Sequence, residues 1–453
     1  MIGLEGKIIL ILGAGKSGIS AAQFLLTQKV KKIILSDIKT RAKFSQEALE
    51  LEKNGVVLET DGHKDVSFTE ADIIIVSPGV PVQPKWLEVV ERTKKLLIGD
   101  VEFAFQFTKA KIIAITGTNG KTTVTTLIYE MFKAQLGDKV ELAGNIGIPF
   151  CDMLKNNSNP EYVVLELSSF QLETIKDFKP FISMILNVTE DHLDRYPNMQ
   201  EYAMAKANIF RNQTEADYLI LNADDKFTDI MGPMGRPAKI YFSAYNELEN
   251  GYYYKDGSFI DNANGTKKEF FKSADMKLLG RHNFENVLAC LITAKLAKLD
   301  MVKAIATIKS FKGLHHRIEF VSEFNGVKYY DDSKGTNVDA VLKAVATFTE
   351  NMVLILGGRE KNTDLSPLYN KLPVNVKVIV AIGENKEKIK NMFSSKVEVL
   401  LAESMEDAVD KSVKVQDVKV VLLSPACASF DMFKSYAHRG DEFKKYVLKA
   451  GQK

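Results

Sequence analysis

Short apolar runs, each followed by a polar loop and then by helical spacing, recur from residue 7 to residue 424. Runs at 7–12, 32–35 and 72–76 read as strands, with a helical pattern through Leu26 between the first two. A second series, at 111–116, 162–167, 182–187 and 218–222, alternates with helical patterns that include 124–134 and 201–210. That alternation predicts parallel pairing with helices on both faces. Between 239 and 271, aromatic runs broken by Asn-Glu, Asp-Gly and Asn-Gly pairs predict an antiparallel hairpin appendage. A third series, at 327–331, 352–357, 376–382, 397–401 and 419–424, predicts another open α/β unit. The expected fold is α/β with three domains. Residues 1–98 form a Rossmann-like N-terminal domain, 99–313 a central P-loop ATPase-like domain with a parallel sheet, and 314–453 a C-terminal Rossmann-like α/β domain.

Bulk properties narrow the function little but exclude some classes. A chain of 453 residues exceeds what one core supports. The 60 basic and 58 acidic residues give a net charge of +2, so nucleic acid is not an expected partner. Cys151, Cys290 and Cys427 lack metal-ligand spacing and suit burial in a reducing compartment, although Cys427 stands in a polar loop. No signal-peptide pattern and no membrane-length apolar stretch is seen, so a cytoplasmic protein without a membrane partner is expected.

The chemistry sits in the loops. Thr116-Gly117-Thr118-Asn119-Gly120-Lys121-Thr122-Thr123 joins an apolar run to a helical pattern. Such a loop offers backbone N–H groups and a helix N-terminus to a polyphosphate, a lysine to its terminal phosphates and a hydroxyl to Mg²⁺. Ile115 stands where a full P-loop has its first glycine, and an ordinary Asn-Gly turn is the plain alternative. Glu166 ends the next run, where a Mg²⁺ ligand in the same sheet would stand, and His192 follows the run after that among three acids. Gly13-Ala14-Gly15-Lys16-Ser17-Gly18, with Asp37 closing the second run, has the dinucleotide-binding layout, and Ser77-Pro78-Gly79 follows a third. A tight turn without a ligand is the alternative there. Lys206 lies within a helical pattern and reads as a surface lysine. Asn283 and Asn286 suit helix capping or an adenine edge equally, and Arg317 a phosphate clamp or an interdomain salt bridge. Loops at 331–337, 357–361 and 424–431 follow strands of the third series, and Lys334, Thr336, Lys361 and Ser429 among them suit a small dicarboxylate.

The order of these motifs resembles the Mur ligase family along essentially the whole chain. The family-wide features are the 116–123 loop, Glu166, Asn187-Val188-Thr189 with His192, Gly280-Arg281-His282-Asn283, and His316-Arg317. The stretches 167–173, 192–196, 332–337 and 424–429, followed by Arg439-Gly440, are similar to the members that add D-glutamate to UDP-N-acetylmuramoyl-L-alanine. The Asp-Asn-Pro-Arg signature of the diaminopimelate-adding members is not present. The resemblance implies an ATP-dependent ligase, acting through an acyl phosphate, in peptidoglycan precursor synthesis. It also implies residue roles. Gly15, Lys16, Asp37 and Ser77 would hold the uridine nucleotide, with Asn145 near the sugar. Gly117, Thr118, Asn119, Gly120, Lys121, Thr122, Thr123, Asn286, Arg317 and Asp332 would hold ATP. Two Mg²⁺ ions would lie near Thr122, Glu166, His192 and Lys206, the last as a carbamate. Lys334 would face the γ-phosphate, and Thr336, Lys361, Ser429 and Tyr436 would take D-glutamate. Relatives often have phenylalanine at the position of Tyr436, and a threonine and an arginine where Ile38-Lys39 follows Asp37. Lys121, His192, Lys206 and Lys334 are the expected catalytic residues, and a monomer is expected. The rivals are another amide ligase of this architecture, such as folylpolyglutamate synthetase, and an NAD-dependent dehydrogenase built on the first glycine turn.

Overall fold

A computed structural model describes residues 2–155, 159–193, 195–359 and 364–452. The described chain divides into two compact units. The first holds 1–188, 192–272 and 285–308, and the second 189–191, 273–284 and 309–453.

The first unit contains two sheets. Strands β1 (Ile8–Leu12), β2 (Lys32–Ser36), β3 (Val57–Glu59), β4 (Ile73–Val76) and β5 (Leu96–Gly99) form a parallel sheet in the order β3-β2-β1-β4-β5. Strand β1 reads Ile-Ile-Leu-Ile-Leu because helices cover both of its faces. The order reverses between β1 and β4, which places a crevice beside the first glycine turn. The second sheet is built from β6 (Lys111–Thr116), β7 (Val140–Gly144), β8 (Tyr162–Glu166), β9 (Ile182–Ile185), β10 (Tyr218–Asn222), β11 (Ala238–Ser243), β12 (Tyr252–Lys255), β13 (Ser258–Asp261) and β14 (Lys268–Lys272). Its order is β14-β13-β12-β11-β10-β9-β6-β8-β7. The hairpins of β12 to β14 are antiparallel as expected, but they continue this sheet through parallel β11–β12 pairing instead of standing apart as an appendage. Strand β6 is interior, with β8 and β9 on either side, so three loops leave one sheet edge together. One buried apolar cluster runs from Leu4 to Met231 and joins the two sheets, with Phe24 edge-on to Phe103 at 5.9 Å.

The second unit carries β15 (Glu319–Phe324), β16 (Val327–Asp331), β17 (Met352–Leu356), β18 (Val376–Ile382), β19 (Glu398–Ala402) and β20 (Val420–Leu423), in the order β15-β16-β20-β17-β18-β19. Only β15 is antiparallel to its neighbour. Apolar clusters cover both faces. Neighbouring β16, β20 and β17 send three polar loops from one edge.

Candidate active site

The 116–123 loop is shaped by two glycines. Gly117 and Gly120 have φ of +151° and +87°, which L side chains rarely adopt. A Cβ on Gly120 would stand 2.5 Å from Asn286 Oδ1, so Asn286 lies directly against the loop. The helix Lys121–Leu136 begins at once and ends at Gly137, whose φ is +60°. Not every loop amide points inward as the sequence suggests. Thr118 N donates to Asn187 O at 2.9 Å and Asn119 N to Asn187 Oδ1 at 2.8 Å. Asn187, at the end of β9, thus braces the loop from the adjacent strand.

Lys121 folds back over the loop and donates to Gly117 O and Thr118 O, each at 2.9 Å. Lys206 is 1% exposed, so the surface-lysine reading does not hold. It stands in the helix Met199–Ala207, capped by Asn198, and its Nζ donates to Gly117 O at 3.1 Å while lying 4.2 Å over the Tyr202 ring. Two ammonium groups therefore share one carbonyl oxygen in a buried setting. Like charges that close repel, so a bound anion, or the conversion of one lysine to an anion, would relieve this pair.

Glu166 ends β8 with its side chain 1% exposed. Its Oε1 accepts from Asn145 Nδ2 at 2.7 Å, whereas Oε2 is buried without a hydrogen-bond partner. An orphaned buried carboxylate oxygen is what a hard cation satisfies, so this residue fits Mg²⁺. Asn145 is brought to Glu166 because β7 pairs with β8 and Gly144 stands opposite Glu166. His192 has φ of +56°, and its exposed ring packs between Phe170 at 4.9 Å and Tyr202 at 6.0 Å. Arg195 lies 4.0 Å over Phe170, bonds Glu173 at 2.5 Å and reaches Pro78 O at 3.4 Å.

At the edge of the first sheet, Gly15, Lys16, Asp37 and Ser77 come together. Asp37 accepts from Ala14 N at 2.8 Å and from Lys39 N at 2.9 Å, and Ser77 Oγ donates to Gly13 O at 3.1 Å. Gly18 is obligatory, since a Cβ there would stand 1.9 Å from Gly13 O. Beneath this edge, Ser36 Oγ bonds Glu59 at 2.6 Å and His63 Nδ1 at 2.7 Å, and His63 stands edge-on to Trp86 at 5.4 Å. Burial holds the His63 imidazole below its ordinary range. Asp100, which follows β5, is raised to about 6 by burial.

The second unit holds Arg317, Asp332, Lys334, Thr336, Ser429 and Tyr436. Asp332 is raised to about 7, chiefly by burial, against a 2.7 Å hydrogen bond from Ser424 Oγ and the nearby Arg317 charge. Lys334 Nζ lies 5.2 Å over the Tyr436 ring, and Thr336 is exposed while Ser429 is buried. Lys361 lies outside the described residues. All three cysteines are free and buried, as expected. The sequence reading assigned no role to Arg439. It is 1% exposed and contacts Ser333 and Cys427. The Arg439-Gly440 pair following the 424–429 stretch was the available signal, and it lies near the start of the helix Tyr436–Ala450.

Comparison with known proteins identifies the family. The family models Mur ligase MurD-like, N-terminal domain, Mur ligase middle domain, and Mur ligase, glutamate ligase domain match residues 7–99, 115–294 and 316–427. A UDP-N-acetylmuramoylalanine–D-glutamate ligase of Geotalea uraniireducens is 41% identical over 445 residues, 98% of each chain. A protein of the same name from a Thermoanaerobacter species is 40% identical over 449 residues, again 98% of each chain. A crystal structure of MurF from Acinetobacter baumannii shares the fold, with a TM-score of 0.63 at 15% identity, covering 97% of this chain and 93% of that one. The chain belongs to the Mur ligase family.

Proposed function

We propose that this chain is an ATP-dependent ligase that joins D-glutamate to UDP-N-acetylmuramoyl-L-alanine, giving ADP and phosphate, in the making of the peptidoglycan precursor. Full-length relatives bear that activity in their name at 41% and 40% identity. The structural observation that carries the reading is the convergence of Lys121 and Lys206 on Gly117 O beside the unpaired Glu166 oxygen. A dehydrogenase would leave this arrangement without a task.

The uridine nucleotide is assigned to Gly15, Lys16, Asp37 and Ser77, with Asn145 toward the sugar. ATP is assigned to the Gly117–Thr123 loop, with Asn286, Arg317 and Asp332. Two magnesium ions held by Thr122, Glu166, His192 and a carbamate on Lys206 would supply positive charge against the phosphates. The substrate carboxylate attacks the γ-phosphorus, the bridging bond to ADP breaks, and Lys121 and Lys334 offset the charge on the transferring group. The D-glutamate amine, held by Thr336, Lys361, Ser429 and Tyr436, then attacks the acyl carbon after losing a proton. His192, exposed between two aromatic rings, is one candidate base, a role with which its holding of magnesium would compete. Collapse of the tetrahedral adduct breaks the carbon–oxygen bond to phosphate and leaves an amide. The working segments are 1–98, 99–313 and 314–453, and the protein acts as a cytoplasmic monomer without nucleic-acid or membrane partners. No described helix is long and apolar enough to cross a membrane. Phosphate release from ATP with UDP-N-acetylmuramoyl-L-alanine tests the reading. D-Glutamate should support turnover, whereas L-glutamate, L-alanine and L-lysine should not.

A further inference from the structure

Arg439 is the bulkiest fully buried side chain among the described residues. Its guanidinium reaches three separate loops. Nε donates to Ser333 Oγ at 2.9 Å and Nη2 to Ser333 O at 2.8 Å, in the loop after β16. Nη1 donates to Cys427 O at 3.0 Å, in the loop after β20. The same Nη1 would stand 3.1 Å from a Cβ on Gly358, in the loop after β17, so that glycine is pressed against it. Ser333 Oγ in turn donates to Tyr436 O at 2.8 Å and ties the loop back to the start of the arginine's own helix.

The electrostatic setting is unusual for a structural arginine. A buried cation is costly unless an anion pairs with it. No described carboxylate is in ion-pair contact with Arg439, and its partners are two carbonyls and a hydroxyl. The acids nearby bond other groups, although Asp431 keeps a buried Oδ1 without a hydrogen-bond partner. Asp331 is bonded to His316 Nδ1 at 2.7 Å and to Ser333 N at 2.9 Å, Asp332 to Ser424, and Asp431 to Glu384 N at 2.9 Å. Burial lowers the guanidinium to about 10, which still leaves it charged at neutral pH. A positive charge thus lies under the loops that carry Lys334, Thr336 and Ser429, attracted by Asp431, Asp331 and Asp332 but in direct ion-pair contact with none of them among the described residues.

We propose that Arg439 is the positioning residue of the amino-acid site: it sets the spacing of three loops and adds a buried positive charge that favours a doubly anionic amino acid, without touching it. The inference rests on the assignment of these loops to D-glutamate. Wild-type assays with D-glutamate test that assignment before any variant is made, and a wild type that does not use D-glutamate overturns the assignment and this inference with it.

Given D-glutamate use, steady-state constants for Arg439→Met, Arg439→Lys and Ser333→Ala test the inference itself. Arg439→Met should raise the KM for D-glutamate roughly ten- to a hundredfold, with the KM for ATP changed by less than about threefold. Arg439→Lys, which keeps the charge but cannot fork to three loops, should fall between it and wild type. A merely structural role predicts a lower melting temperature with all KM values moving together or not at all. Either pattern overturns the inference. If Arg439→Met does not fold, Ser333→Ala decides: it should raise the KM for D-glutamate about threefold or more, and an unchanged KM overturns the inference.

Discussion

Replacing Lys206 with methionine distinguishes the two charge states open to this buried group by the sign of a stability change. The Lys121 and Lys206 nitrogens lie 2.9 and 3.1 Å from Gly117 O. Their separation is on the order of 5 Å, where two like charges repel by roughly 3 kcal/mol at an effective dielectric constant near 20. Methionine keeps much of the apolar stem and removes the charge. If Lys206 is an ammonium, the substitution relieves that repulsion and a burial cost while giving up the Gly117 O bond and the Tyr202 ring contact, so the protein melts no lower than wild type. If Lys206 is a carbamate, the substitution deletes an attraction of similar size to Lys121, and the melting temperature falls by about 3 °C. The account predicts the fall. It also predicts that adding bicarbonate stabilises wild type but not the variant, and that the variant is nearly inactive and partly rescued by a short carboxylic acid. Thermal melts of both proteins, with and without bicarbonate and alongside turnover, read all of this. A variant that melts no lower than wild type and retains full turnover refutes the carbamate.

The remaining expectations are simpler to state. Lys121→Ala should lower turnover by roughly a hundredfold or more, because its charge offsets that of the transferring phosphoryl group; near wild-type turnover in the same phosphate-release assay removes this loop from the ATP site. Gly120→Ala puts a methyl group 2.5 Å from Asn286 Oδ1 at a φ of +87°, so it should cost about 1–3 kcal/mol by denaturant titration and weaken ATP binding; a neutral result contradicts the loop geometry. Asp332, raised from 3.8 to about 7, keeps its proton in the folded protein where the unfolded chain has lost it. Its contribution is therefore complete below about pH 4 and lost as pH rises through 7, on the order of 4 kcal/mol, and Asp332→Asn should flatten that slope in melts of the ligand-free protein.

Local features were legible in the sequence, and features that depend on distant chain segments were not. The glycine turns at 13–18 and 116–123 and the strand ends beside them are short-range patterns, and the strands they follow form close to where expected. Strand β3 is too short to show a period, and β7 is only partly buried along its length, so neither stood out. Missing β7 hid the meeting of Asn145 and Glu166, which exists only through β7–β8 pairing. The helix around Lys206 is alanine-rich with little contrast between its faces, so spacing could not show that the lysine points inward. Arg439 is harder still, since its burial depends in part on a loop more than a hundred residues before it, as the Ser333 contact shows. Edge strand β15 is half-exposed and antiparallel, and so lacks the apolar run that marks its neighbours.

The central claim, that ATP activates a carboxylate for attack by D-glutamate, is tested most directly by following labelled oxygen. UDP-N-acetylmuramoyl-L-alanine carrying heavy oxygen in its carboxylate is turned over with ATP and D-glutamate, and the released inorganic phosphate is analysed by mass spectrometry. Transfer of the carboxylate to the γ-phosphorus and later loss of phosphate from the acyl carbon predict one heavy oxygen in each phosphate formed, and none in ADP. Unlabelled phosphate, or label appearing in AMP with pyrophosphate released, would contradict the account.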